Sequence, residues 1–123
     1  MNIALWICQG ILAAVFLFSG LQKSVQTKER MIASGQTGVK EYSLPFIRFI
    51  ATLELLAVVG LILPWATRTA SVLTPLAAAG LGIIMLGAAR AHARLHEPRN
   101  VATNFVLLAL CVFVVIGRFA GLA

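Results

Sequence analysis

The stretch "RFIATLELLAVVGLILP", residues 48–64, decides the fold. Glu54 apart, its residues are at home in hydrocarbon or at the edge of it. The run is long enough, with the residues just before it, to cross a bilayer as one helix. A carboxylate in the middle of such a helix is costly, so it requires a partner and is by default a candidate functional group.

Working outward, the rest of the chain has the same character. Of 123 residues, 60% are hydrophobic and 11% charged, where an ordinary soluble domain carries about 25% charged residues. The mean hydropathy is +0.95. A chain this short cannot hide so much apolar surface in one water-surrounded core, so the excess calls for lipid. Four apolar stretches emerge, 3–21, 46–63, 70–91 and 101–119. In lipid each must satisfy its own backbone, which means a helix, and no period-two alternation supports a barrel. The expected architecture is all-α, a single membrane domain over 1–123 built as a four-transmembrane-helix antiparallel bundle.

Local signals set expected boundaries. Ser43 is an N-cap with Pro45 in the first turn, Pro64 ends the second helix, Thr69 or Ser71 caps the third, and Asn100 caps the fourth. Two of the three connections are short, which predicts an antiparallel meander of the last three helices. The first stretch lacks a basic n-region and a small-x-small cleavage site, so it reads as a retained span. "ASGQTG" (33–38) reads as a short flexible patch in the first loop.

The formal charge of +6 follows the helix ends. Lys23, Lys28, Arg30, Lys40 and Arg48 surround the first loop and Arg90, Arg94 and Arg99 the third, whereas the second has only Arg68 and the C-terminus only Arg118. This is membrane topology, not a nucleic-acid surface. It predicts a multi-pass protein of the cytoplasmic membrane, with loops one and three inside and both termini outside.

Several chemistries are weighed on single residues. Cys8 and Cys111 form no CxxC, which excludes disulfide exchange of that type and leaves packing thiols. His92 and His96 stand four apart, with Glu97 a third donor, but interfacial solvation is the ordinary reading and no metal is assigned. No phosphate-binding loop or nucleophile–base arrangement is legible, so whether the chain is an enzyme stays open. Gly10 with Ala14, Ala78 with Gly82, and Gly80 with Gly87 are small-residue pairs that serve either contact within the bundle or a homo-oligomer. Their abundance favours an oligomer over a monomer, while bundle contact is the ordinary role for each pair.

Polar groups gather toward the inner half: Ser19, Gln22, Lys23, Arg48, Thr52, Arg90, His92, Asn100 and Asn104, with Gln9 the outer exception. Glu54 lies deepest, ~12 Å along its helix from Phe46. The expectation is a polar vestibule open inward with Glu54 at its floor. Arg48 projects from a different face, so Lys23 is better placed to reach Glu54, and Asn104 or His92 could donate a hydrogen bond; the partner of Glu54 stays open, with a protonated Glu54 the alternative if no cation reaches it.

The chain resembles the DoxX-like family of small four-helix membrane proteins. The likeness rests on "FLFSGLQK" (16–23), "RFIATLELLAVVGLILP" (48–64), "LTPLAAAGLGIIMLGAARAH" (73–92) and "NFVLLAL" (104–110). Lys23, Arg48, Glu54, His92 and Asn104 occupy the positions of that pattern's polar residues. The resemblance implies membrane redox, sulfur or oxidative-stress metabolism, with quinone-linked chemistry and soluble redox partners among its members. Two readings follow. One is an accessory component that binds a quinone-like ligand and docks soluble redox proteins at its basic cytoplasmic face. The other is a non-catalytic structural or assembly factor for other membrane proteins.

Overall fold

The computed structural model describes residues 1–122, without the side chain of Glu41. Its elements are α1 (Asn2–Val25), α2 (Lys28–Ala33), a 3₁₀ turn (Thr37–Glu41), α3 (Leu44–Thr67), α4 (Leu73–Arg94) and α5 (Pro98–Ala120). The four long helices are each long and apolar enough to cross a membrane. α1 packs on α3 and α5, and α4 packs on the same two, so the four close into a ring. Short turns join α3 to α4 and α4 to α5, which makes these neighbours antiparallel.

All four helices differ from the sequence-based bounds at one end or both, and the reasons are local. α3 runs through Pro64 instead of stopping there. A proline inside a helix leaves the carbonyl four residues earlier without its amide donor. That carbonyl belongs to Gly60, and the Thr74 hydroxyl donates to it at 2.8 Å. Thr74 thus replaces the missing bond from the neighbouring helix. α3 ends at Thr67 and is capped by Arg68, in the left-handed region at φ 56, where the Thr69 amide reaches the Pro64 carbonyl at 3.1 Å. Neither Thr69 nor Ser71 caps α4; Ser71 donates back to Pro64, Ala70 is also left-handed, and α4 begins only at Leu73. Ser43 does cap α3, accepting from the Phe46 amide. α5 starts at Pro98, with Glu97 and not Asn100 at the cap position.

The first loop is folded. Thr27 caps α2 through the Arg30 amide at 3.2 Å, and Met31, Val39 and Ile47 bury a small cluster that fastens α2 and the 3₁₀ turn to α3. Gln36 donates to Ser19 at 3.2 Å and to Gln22 at 3.1 Å. Residues 33–38, a loose patch by sequence, are therefore tied to the end of α1.

Mid-bundle, Leu12, Phe16, Leu61, Ala78, Leu81, Met85, Cys111 and Val114 form the apolar core. The outer surface is apolar as well: Phe18, Phe49, Leu56, Ile83, Val106 and Ile116 are all exposed. Helices apolar on every side are those of a membrane protein, their outward faces solvated by lipid chains. Without a hydrophobic drive between helices, close backbone approach supplies the cohesion. At Gly60 a Cβ would stand 2.9 Å from the Cβ of Ala77, which has no freedom to move away. Ala78 and Gly82 also face inward, Gly82 toward Leu108 and Cys111, so this pair is a contact within the bundle. Gly10 and Gly80 face open space. Cys8 packs beside the core that contains Cys111, and both are free thiols.

Candidate functional site

Two polar clusters and a cavity occupy the end of the bundle where the first and third loops meet. The first cluster begins with Lys23 in the last turn of α1. Its ammonium lies 2.7 Å from Glu54 Oε1, with Glu54 fully buried and the Lys23 side chain 14% exposed. Lys23 is thus the cation that reaches the intramembrane acid. Arg48 instead donates through Nη1 to the Lys23 backbone carbonyl, one of the carbonyls that a helix C-terminus leaves without an internal partner. Glu54 Oε2 is buried with no hydrogen-bond partner among the described residues. Neither His92 nor Asn104 donates to it; Asn104 is buried separately on α5.

The second cluster converges on Glu97 at the entry to α5. Its Oε1 receives the Thr37 hydroxyl at 2.7 Å, His92 Nδ1 at 2.7 Å and Asn100 Nδ2 at 3.3 Å. The His92 hydrogen bond first, then that of Thr37, holds the Glu97 carboxyl down at about 2. An ionised carboxylate can only accept, so His92 Nδ1 carries the proton. One carboxylate therefore ties together the 3₁₀ turn, α4 and α5. His96 takes a left-handed conformation at φ 58 beyond the end of α4. Among the described residues no three His, Cys, Asp or Glu side chains gather as a metal site.

Between these clusters lies a cavity of about 270 Å³. Its walls are mainly apolar, with Ile50 of α3 and Ile84 of α4 representative, and Lys23, Gln36, Tyr42 and His92 supply the polar groups. Gly38 of the 3₁₀ turn closes over His92, where a Cβ would meet Nε2 at 3.3 Å. Of the five residues singled out from sequence, Lys23 and His92 line this space. Glu54 and Arg48 stand behind Lys23 and are not in the lining, and Asn104 is on another wall of the bundle. Glu54, expected at the floor of a vestibule, does not line this cavity and is joined to it only through its ion pair with Lys23. Gln36, Thr37 and Tyr42 belong to the site although the first loop carries no periodicity that would have marked them. The sequence suggests Glu97 only as an optional metal donor; the Glu97–Asn100 spacing was the available signal for its position at a helix entry.

The profile of the DoxX-like family matches residues 7–114 of the chain. No curated protein and no solved structure matches it.

Proposed function

The chain belongs to the DoxX-like family, and from that premise we propose that it is an accessory, ligand-binding component of membrane redox or sulfur metabolism. The observation that carries this reading is the cavity between α3 and α4: an apolar slot with donors at its inner end. Binding sites of this kind combine apolar walls with a few convergent polar groups. Of the cavity's polar lining residues, Lys23 and Tyr42 supply the donors; Gln36 Nε2 already donates to Ser19 and Gln22, and His92, whose Nδ1 donates to Glu97, offers Nε2 as an acceptor. Donors facing an apolar slot suit a quinone-like molecule, whose ring carbonyls accept hydrogen bonds while its tail continues into lipid. Lys23 is the prime donor, positioned by Glu54; Glu54 itself acts through Lys23. The basic loops would present the same end to soluble redox partners on the cytoplasmic side.

Titrating the purified protein with decylubiquinone in a nonionic detergent tests this. Gly87 lines the cavity and has open space where a Cβ would go, so Gly87→Leu introduces its side chain into the slot from an unobstructed Cβ. Saturable binding by the parent, lost in Gly87→Leu and weakened in Lys23→Met, is the expected result. No binding by the parent, or equal binding by both variants, sinks the reading.

The Lys23–Glu54 pair and the Glu97 junction favour a second reading, a structural or assembly factor whose polar groups are internal clamps. In that case the decylubiquinone titration is flat. Gentle extraction from native membranes then recovers a stoichiometric membrane-protein partner.

A further inference from the structure

The opposite end of the bundle carries a separate cluster, independent of the reading above. Arg118, in the last turn of α5, does not reach out toward water as a terminal arginine ordinarily does. It is 3% exposed and turns inward. Nε donates to Gln9 Oε1 at 2.7 Å and Nη1 to Asn2 Oδ1 at 2.7 Å. The guanidinium lies 5.3 Å from the ring centre of Trp6 and 4.5 Å from that of Trp65. Gln9 is fixed in turn by donating to the Leu61 carbonyl. A second guanidinium, that of exposed Arg68, sits 4.8 Å from the same Trp65 ring.

Two features of this cluster are unbalanced. First, among the described residues its charge has no counterpart. The four acidic residues of the chain lie on α2, the 3₁₀ turn, the middle of α3 and the entry to α5. Asn2 and Gln9 are neutral amides, so two cations share one indole without a carboxylate side chain beside them. Second, its hydrogen bonding has donors left over. Among the described residues Arg118 Nη2 and Trp65 Nε1 are both buried without a partner, and neither group can accept. Buried donors without acceptors are rare and call for a missing partner. At the inner end the imbalance is the reverse, an unpaired acceptor on Glu54.

We infer that Arg118 and Arg68, with the Trp65 indole N–H, form a binding site for a phosphate-type oxyanion at the outer end of the bundle. Such an anion supplies the negative charge and the acceptors that the cluster lacks. Guanidinium groups match it with paired donors, and tryptophans at a helix end place the site at headgroup level. Arg68 and Arg118 are also the two basic residues that break the inward bias of positive charge. Both a phospholipid headgroup and a free phosphate have this chemistry. The C-terminal turn at Gly121, packed against Trp65, is the element that must shift to admit either.

The protein has two tryptophans, and both belong to the cluster, so intrinsic fluorescence reads the site directly. Delipidated protein in a nonionic detergent is titrated with dihexanoylphosphatidylglycerol, with dihexanoylglycerol, and with inorganic phosphate against chloride at constant ionic strength. A saturable emission change with the phospholipid alone identifies a headgroup site; a change with inorganic phosphate identifies a soluble oxyanion. Either supports the inference, provided that dihexanoylglycerol is silent. Arg68→Gln, on an exposed side chain, keeps the bundle intact and weakens binding by about tenfold, as loss of one charge-assisted hydrogen bond does. Arg118→Gln weakens it at least as much. Silence from both titrants, the same change with dihexanoylglycerol, or parental affinity in Arg68→Gln overturns the inference.

Discussion

A carboxylate at zero exposure in the middle of a membrane helix has few ways to persist, and Glu54 uses the simplest, a lysine from the neighbouring helix. The pair makes a double-substitution test natural. Glu54→Leu strands a largely buried ammonium and lowers unfolding stability by about 1–3 kcal/mol. Lys23→Met strands the carboxylate and costs a similar amount or more. The double variant recovers much of the loss, because an ion pair replaced by apolar side chains leaves nothing unpaired. Strictly additive losses in detergent unfolding would show that the two groups are not coupled. Glu97 makes a different prediction. Its folded value, about 2, lies below the ordinary 4.5, so the ionised form is favoured by folding. The resulting stability is fully present above pH 4.5 and is lost as the pH falls toward 2. Thermal unfolding followed from pH 6 to 2 should therefore show a decline that is shallower in Glu97→Gln. Parallel curves would mean that the junction on Thr37, His92 and Asn100 contributes nothing to stability.

At the level of elements, the sequence revealed the spans and not their ends. Hydropathy marks the helices because lipid forces each apolar run to satisfy its own backbone. Ends depend on partners that are far away in sequence. Pro64 reads as a stop since the bond it removes has no local replacement; Thr74, on the next helix, provides one. Thr74→Val should cost about 1–3 kcal/mol by leaving the Gly60 carbonyl unpaired. The same substitution in a Pro64→Ala background should cost less, because an alanine at that position restores the amide donor. Equal costs in both backgrounds would refute the substitution of one bond for the other. The site shows the same division. Helix phase made Arg48 an unfavourable partner for Glu54 and left Lys23 the better placed, whereas the 3₁₀ turn that contributes Gln36, Thr37 and Tyr42 was not legible, because a loop with no period leaves no imprint of what it touches. By sequence Arg118 is only a topology marker, for a related reason. Nothing in its neighbours in sequence indicates that Asn2 and Gln9, at the far end of the chain, will bond it.

For the whole molecule, the arrangement is two polar ends separated by an apolar middle. The basic loops lie at the Glu54 end and both termini at the Arg118 end, so a C-terminal tag should be reachable from outside intact cells, and a protected tag would invert the orientation proposed here. The middle layer has a consequence of its own. Leu12, Phe16, Leu61, Leu81, Met85 and Val114 fill the axis with side chains that cannot hold a file of water. Among the described residues this apolar layer separates the two hydrogen-bonded ends, which predicts that no proton passes from one to the other. The expected outcome is a bundle that does not leak protons. Vesicles loaded with the purified protein should keep an imposed pH gradient as long as empty ones do. Leu81→Ser, which places a hydroxyl in that layer, is the change with which to look for a leak.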